Sequence, residues 1–219
     1  MNYFNRASAI NYLLTRYDTP TSYLEIGVQT GSNFKKISAD IKVAVDPEFK
    51  IPGGFSNDKI NTYHECTSDD FFNSLKKNER YHVVFVDGLH TYPQSYKDVE
   101  NSLKYLHPNG VIVMHDCMPP NRAAAQRSND VAKTMPEFNN VWNGDVWKTV
   151  VDLKSHRKDL DIFTINEDFG LGFVSFGSNK NLLKFSKDQI ENMTYDAFNN
   201  NFELYMNLKP KEYLRKVFK

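Results

Sequence analysis

Two short phrases near the middle of the sequence place aspartate close to histidine. One is Asp87-Gly-Leu-His90 and the other is His115-Asp116. An imidazole titrates at about pH 6.5, so His90 is suited to removing a proton from a hydroxyl group, and Asp87 can orient it. The plainer alternative is that His90 only makes a hydrogen bond within its own loop.

Each phrase lies at the end of an apolar run that predicts a buried β-strand, at 81–87 and at 111–116. Nearly continuous apolar runs are typical of parallel sheets covered on both faces, and ligands bind outside the carboxyl ends of such strands. The sequence therefore predicts both phrases in one site at one edge of the sheet. His115 and Asp116 can both line it only if the strand has ended there, since neighbouring strand residues point to opposite faces.

A loop with two glycines follows the first predicted strand. It runs from Glu25 through Gly27 to Gly31, and Asp46 ends the next strand, 19 residues after Gly27. Glycines let the backbone approach a ligand closely, and an acid at this distance suits ribose hydroxyls. A dinucleotide site would have a third glycine, and the carboxylate of Glu25 would repel a pyrophosphate. The alternative is a tight turn whose loop Asp46 caps.

Strand and helix patterns alternate along the chain, which predicts a Rossmann-like α/β sandwich of three layers. We expect a mostly parallel seven-stranded sheet with an antiparallel last strand and helices on both faces. One domain, 1–219, has its core at about 20–177 and a helical tail at 180–219. A turn is expected at 107–110, and 117–141 should be irregular. The predicted strands are 23–28, 42–47, 62–66, 81–87, 111–116, 160–165 and 172–176, and the predicted helices are 3–16, 34–39, one capped by Thr67 or Ser68, 92–106 and 146–156.

Composition narrows the classes of partner. Lys plus Arg and Asp plus Glu number 27 each, so the formal net charge is zero, which argues against a nucleic-acid partner. No apolar run approaches the ~18 residues of a membrane span, and the first residues lack a signal-peptide pattern.

Cys66 and Cys117 fit no zinc or redox spacing and are expected as reduced thiols in a cytoplasmic protein. The first helix and the aromatic tail leave a homo-oligomer open.

The loop from Glu25 to Gly31 resembles motif I, E-x-G-x-x-x-G, of class I S-adenosylmethionine-dependent methyltransferases. The resemblance implies that Glu25 and the loop backbone face the methionine part of the cofactor, whose ammonium group an acid attracts. It also implies that Asp46 binds the ribose and that residues after the third strand flank the adenine. The cofactor-binding residues expected on this basis are Glu25, Gly27, Gly31, Asp46, Ser68, Asp69 and Asp87.

The two phrases, together with Gly144-Asp-Val-Trp147-Lys148, resemble bacterial methyltransferases of the family-24 type. This group includes the macrocin and mycinamicin sugar O-methyltransferases and cephalosporin hydroxylase-like proteins, and the resemblance covers about residues 20–177. It implies that His90 is the general base. Pro108-Asn109-Gly110 departs from the usual Pro-Gly-Gly, which should affect only the turn.

The same resemblance implies a Mg²⁺ ion held by acids at the two strand ends, where Asp87 and Asp116 match the family. His115 stands where those relatives often carry another acid. Imidazole is a poor Mg²⁺ ligand and suits Mn²⁺ or Fe²⁺ better. The expected metal ligands are therefore Asp87, His115 and Asp116; without a metal, Asp87 orients His90 or the cofactor.

The acceptor pocket is expected to be lined by Trp147, Lys148 and Arg122, with Trp142 as a further candidate, although a tryptophan on a helix is more often part of the core. The sequence thus predicts O-methylation of a hydroxyl on a sugar, glycan or small metabolite. One alternative is an NAD-type oxidoreductase, which the missing third glycine disfavours. The other is a methyltransferase-like protein that binds without turnover, which the presence of both Asp87 and His90 disfavours.

Overall fold

The computed structural model describes residues 4–218, so Tyr3, in the first predicted helix, lies outside the described residues. Its strands are Ser22–Ile26 (β1), Ile41–Asp46 (β2), Asn61–Glu65 (β3), Tyr81–Val86 (β4), Leu106–Met114 (β5), Leu160–Ile165 (β6) and Leu171–Phe176 (β7). They form one sheet in the order β3-β2-β1-β4-β5-β7-β6. Neighbours from β3 to β5 run parallel, whereas β7 is antiparallel to both β5 and β6. The predicted fold class is confirmed.

Helices cover both faces of this sheet. They are Arg6–Leu14 (α1), Ser68–Ser74 (α2), Tyr92–Lys104 (α3), Asn129–Lys133 (α4), Trp147–His156 (α5), Lys187–Glu191 (α6), Tyr195–Asn199 (α7), Phe202–Met206 (α8) and Tyr213–Val217 (α9). Thr67 caps α2 by accepting a hydrogen bond from the backbone N–H of Asp70, one of the two caps expected for this helix.

Three local elements differ from their predictions. The short helix α4 lies within 117–141, a segment expected to be irregular, where Ser128 caps it. Instead of a helix over 34–39, Phe34–Lys36 forms one 3₁₀ turn, because Ile37 is already extended and the chain leads directly into β2. Residues 107–110 are not a separate turn before the fifth strand but lie within β5. Tyr81 pairs with Leu106 and Val83 with Val111, so these four residues bulge from a strand that is held on both sides.

The core consists of two apolar layers, one on each face of the sheet. Helices α2, α3 and α5 pack on one face, and α1 and α9 pack on the other. All six residues of β4 are buried, as the apolar run predicts for a strand in the middle of a covered sheet. The carboxyl ends of β1, β2, β4 and β5 are therefore fixed side by side.

The C-terminal tail packs along the edge of the sheet at β6. Leu208 forms a parallel bridge with Thr164, and the backbone N–H of Lys209 donates to the Thr164 carbonyl at 2.9 Å. Asn207 Nδ2 donates to the Ile162 carbonyl at 2.8 Å. Two outward carbonyls of β6 are thereby occupied. Among the described residues, no helix is long and apolar enough to cross a membrane.

Candidate active site

A cavity of about 950 Å³ opens at the carboxyl edge of the parallel strands. Most of the site residues predicted from the sequence line this one cavity. They are Glu25, Gly27, Asp46, Ser68, Asp69, Asp87, His90, His115 and Asp116. Gly31 does not line it; with φ of +70°, it turns the loop toward the 3₁₀ turn, and a Cβ there would meet the Ile51 side chain.

The loop after β1 lies directly against the end of β4. Gly27 has φ of +86°, and a Cβ at this position would stand 2.0 Å from the Asp87 carbonyl oxygen, so only glycine fits. Asp46 holds the loop from the other side by accepting hydrogen bonds from the backbone N–H groups of Gln29 and Glu48, each at 2.8 Å. The glycine loop and Asp46, whose spacing was noted in the sequence, are thus in direct contact through the backbone N–H of Gln29.

Glu25 is a buried carboxylate at the end of the cavity beside the glycine loop. Tyr23 donates its hydroxyl proton to Glu25 Oε2, and Asn33 Nδ2 donates to the same oxygen at 3.0 Å. Burial raises the pKa of Glu25 to about 8 in spite of these two hydrogen bonds. Asn33 Oδ1 is buried without a hydrogen-bond partner. Tyr23 and Asn33 were not expected from the sequence, although both lie within nine residues of a predicted site residue.

Ser68 and Asp69 form the rim at the start of α2. The Ser68 hydroxyl donates to Asp98 Oδ1 at 2.6 Å, and Asp69 pairs with Lys97. These contacts attach the first turn of α2 to α3. The rim therefore holds a fixed position relative to the loop after β1.

His90 lies between the two strand-end acids. Its Nε2 is 3.2 Å from Asp116 Oδ2 and 3.5 Å from Asp87 Oδ1. Burial opposes a charge on this ring, but the hydrogen bond to Asp87 and the charges of Asp116 and Asp87 outweigh burial and raise the pKa of His90. A neutral His90 is therefore a stronger base than a free imidazole.

His115 and Asp116 both face the cavity because β5 ends at Met114. Asp116 has φ of +58°, a conformation rare for a residue with a side chain. His115 Nδ1 lies 3.2 Å from Asp87 Oδ1 and 3.1 Å from Asp116 Oδ2. Burial opposes its charge, but the carboxylates, Asp87 foremost, raise the pKa of His115 well above its ordinary value.

Arg6 and Asp168 complete the charged group and were not expected from the sequence. Arg6 Nη1 donates to Asp87 Oδ2 at 3.0 Å, while its Nε and Nη2 hold both oxygens of Asp168 at 2.9 and 3.0 Å. Asp168 and Phe169 have φ of +50° and +61° in the β6–β7 turn. Arg6 and Asp168 are 162 positions apart, so no local pattern could have linked them.

Three of these side chains can converge on a divalent cation. One oxygen each of Asp87 and Asp116 and one ring nitrogen of His90 lie within 4.8 Å of one another. This donor set fits a cation that accepts nitrogen as well as oxygen, such as Mn²⁺ or Fe²⁺. It differs from the predicted set in having His90 in place of His115.

Trp147, Lys148 and Arg122 do not line this cavity, contrary to the expectation that they form its acceptor wall. Trp147 packs in the core against Phe198, because α5 lies against the tail. Lys148 Nζ donates to the Glu191 carbonyl at 2.6 Å, and Arg122 forms a two-pronged ion pair with Asp196 at the surface. Trp142, the further candidate, does line the cavity and stacks on His90. Asn129, Asn140, Val141 and Phe169 also line it.

A family model described as a methyltransferase domain matches residues 24–117. The matched part begins within β1 and ends just after β5, so it contains both strand-end phrases and the glycine loop. The resemblance to class I methyltransferases of this type is thereby confirmed. No curated protein matches the chain in sequence.

Solved structures share the fold at low sequence identity. An O-methyltransferase of Streptomyces achromogenes involved in tomaymycin synthesis, in complex with S-adenosylmethionine, is 17% identical, with a TM-score of 0.56 over 78% of this chain and 79% of that one. A Podospora anserina methyltransferase bound to S-adenosylhomocysteine is 14% identical, with a TM-score of 0.55 over 81% and 91%. An O-methyltransferase of Bacillus cereus with the same ligand is 14% identical, with a TM-score of 0.51 over 80% and 82%.

Proposed function

We propose, from the premise that the chain is a class I methyltransferase of this family, that it transfers a methyl group from S-adenosylmethionine to a hydroxyl of a sugar, glycan or small metabolite. The observation that carries the proposal is the position of His90 Nε2. It lies 3.2 Å from Asp116 Oδ2, in the same cavity as the glycine loop and Glu25. A hydroxyl acceptor must lose its proton as it attacks, and a base in the cavity answers that need.

The buried end of the cavity suits the methionine part of the cofactor. The carboxylate of Glu25 and the unpartnered Oδ1 of Asn33 are both acceptors for an ammonium group. Asp46 is proposed to bind the ribose, because a carboxylate that accepts two backbone hydrogen bonds still has free lone pairs. Ser68 and Asp69 would then flank the adenine at the rim.

In the proposed reaction, the bound cofactor supplies a methyl group on a positively charged sulfur. As the acceptor oxygen forms its bond to the methyl carbon and the carbon–sulfur bond breaks, His90 Nε2 takes the hydroxyl proton. The imidazolium that results lies beside Asp87 and Asp116, whose negative charges stabilise it. These acids thus assist proton removal without leaving their places.

Three residues of the cavity lining, Trp142, Asn129 and Asn140, suit an acceptor that carries several hydroxyl groups. Trp142 offers an aromatic face, while the side-chain amides of Asn129 and Asn140 can donate to and accept from hydroxyl groups. Asn129 Oδ1 is buried without a partner. An acceptor hydroxyl that donates to it would satisfy this oxygen.

Asp87 and Asp116 are also the residues that would hold a divalent cation, which would polarise the acceptor hydroxyl. A cation that takes His90 as its third ligand would occupy the nitrogen needed as a base. The two roles of His90 are therefore distinguished by whether turnover depends on metal.

The test is calorimetric titration of the protein with S-adenosylmethionine and, separately, with NAD, each with and without Mg²⁺ or Mn²⁺. We expect S-adenosylmethionine to bind, and Asp46→Ala to weaken that binding strongly. Sugar acceptors are then screened for methylation, before and after treatment with a chelator. Binding of NAD in place of S-adenosylmethionine would overturn the proposal.

A further inference from the structure

The segment Trp142-Asn143-Gly144-Asp145, here named the clamp, contacts the base and its acid partner from one side. We propose that the clamp is the positioning element of the active site, in which Trp142 fixes the orientation of the His90 ring and Asn143 fixes the carboxylate of Asp116. This inference rests on the proposed function of His90 as a base. It assigns roles to residues that touch neither the cofactor loop nor its acid Asp46.

Trp142 contacts the ring of His90 in two ways. Its backbone carbonyl lies 3.0 Å from His90 Nδ1, and the two rings stack with centroids 5.0 Å apart and planes 28° apart. A carbonyl can only accept, so Nδ1 donates its proton to it, and this hydrogen bond holds the ring with Nε2 turned toward Asp116 and Asp87. The Trp142 indole is itself anchored by donating to the Gln126 carbonyl at 2.7 Å.

Asn143 performs the matching task for Asp116. It is fully buried, and its Nδ2 donates to Asp116 Oδ1 at 2.6 Å. The other oxygen, Oδ2, is the one that lies 3.2 Å from His90 Nε2. Since the Asp116 backbone is in the left-handed region, where residues with side chains need support, this hydrogen bond helps to keep the carboxylate turned toward His90.

Gly144 and Asp145 bring the clamp into contact with the backbone of His90 and Tyr92. A Cβ on Gly144 would stand 1.6 Å from the His90 carbonyl oxygen, and its φ is +66°. Asp145 Oδ1 accepts from the backbone N–H of Tyr92 at 2.7 Å, where α3 begins, and Arg127 holds the other oxygen. The clamp therefore holds the loop at His90 and at the start of α3.

A purely structural role would require the clamp only to close the chain between α4 and α5. The anchors of the clamp on 124–127 already achieve this, because the N–H groups of Asn143 and Gly144 both donate to the Ala124 carbonyl. The contacts to a ring nitrogen of His90 and to a carboxylate oxygen of Asp116 are additional. They bear on the two groups that handle the proton.

The test combines ring ¹⁵N chemical shifts of His90 with kinetics in Asn143→Ala and Gly144→Ala. The chain has six histidines, and the His90 signals are assigned by their loss in His90→Gln. In the wild type we expect the Nδ1 signal of a protonated nitrogen that donates to a carbonyl. Gly144→Ala should shift that signal, because the ring is displaced from the Trp142 carbonyl. Both variants should lower kcat at least tenfold, with the Kd for S-adenosylmethionine changed less than twofold.

Asn139→Ala is the matched control, an exposed amide on the same loop that lies outside the cavity lining, and it should behave as the wild type. Wild-type ring shifts and kcat in both clamp variants would overturn the inference. If Gly144→Ala does not fold, as circular dichroism will show, Asn143→Ala decides by its split between kcat and Kd. The ring shifts require no turnover, so unchanged His90 shifts in Gly144→Ala show that the clamp has failed, whereas a normal kcat in His90→Gln shows that the base has failed.

Discussion

The two ends of the cavity are assembled in different ways. At the cofactor end, Glu25 and Asp46 stand at neighbouring strand ends, and the buried acid is satisfied by the neutral donors Tyr23 and Asn33. At the catalytic end, three aspartates face two histidines and an arginine, Arg6, that comes from the first helix. The contacts proposed for the cofactor therefore come from residues at or near the strand ends. The charges of the aspartates and histidines are balanced only when distant segments, such as the helix that carries Arg6, have docked.

The largest effect should be a loss of kcat with no change in the Kd for S-adenosylmethionine. In His90→Gln we expect kcat to fall about 10²–10⁴-fold, since that is the range for loss of a general base. The Kd for S-adenosylmethionine should stay near the wild-type value, because His90 is not among the residues proposed to hold the cofactor. Single-turnover methylation and calorimetry measure the two quantities. A variant with normal kcat would mean that the proton leaves by another route.

The second effect tests the dependence on distant segments. Arg6→Gln leaves oxygens of Asp87 and Asp168 without their cation, and we expect the free energy of unfolding to drop by about 1–3 kcal/mol. Urea denaturation measures the change. The double variant Arg6→Gln/Asp168→Asn should lose less than the sum of the two single variants, because the pair is in direct contact. Strict additivity would show that the two side chains do not interact.

The third effect concerns pH at the cofactor end. The pKa of Glu25 is raised from 4.5 to about 8, so the free protein holds a proton there that an ammonium ligand must displace. Affinity for S-adenosylmethionine should rise by up to tenfold per pH unit between about pH 6 and pH 7.5, where the ligand's amine is still mostly charged. Glu25→Gln should bind more weakly and with a flat profile. A slope that survives in Glu25→Gln would assign the proton elsewhere.

The free energy of unfolding should change with pH in the opposite direction to the affinity for S-adenosylmethionine. The folded protein binds more protons at Glu25 than the unfolded chain does between its ordinary pKa and about 8. The free energy of unfolding of the free protein therefore falls as pH rises through this window. Glu25→Gln should remove that part of the fall, and denaturation at several pH values measures it.

The smallest effect tests whether Arg122 lies outside the acceptor pocket. Arg122 is exposed and pairs with Asp196 outside the cavity, so Arg122→Gln should leave the free energy of unfolding nearly unchanged. Its KM for any acceptor should equal that of the wild type. A raised KM would restore the expectation that this residue contributes to the acceptor wall.

How far the sequence could predict the molecule depended on how local each signal was. Apolar runs predicted β4 and β6 almost to the residue, and the glycine loop and strand-end acids identified residues that share one cavity. The pattern at 34–39 misled, because helical spacing competes there with the short path into β2. Trp147 was expected in the pocket on resemblance, and the packing of α5 on the tail moved it into the core. Arg6, Asn143 and Asp168 could not be foreseen, since their contacts depend on tertiary docking alone.

The tail along β6 has a consequence for how copies of the chain can associate. An exposed edge strand offers a row of carbonyls and N–H groups to any other extended segment, and this is a common route to aggregation. On β6 the carbonyls of Ile162 and Thr164 are already taken by Asn207 and Lys209. Removal of the tail would free these acceptors. A chain without it would then be exposed to polymerisation through the edge of its sheet, which the tail keeps closed.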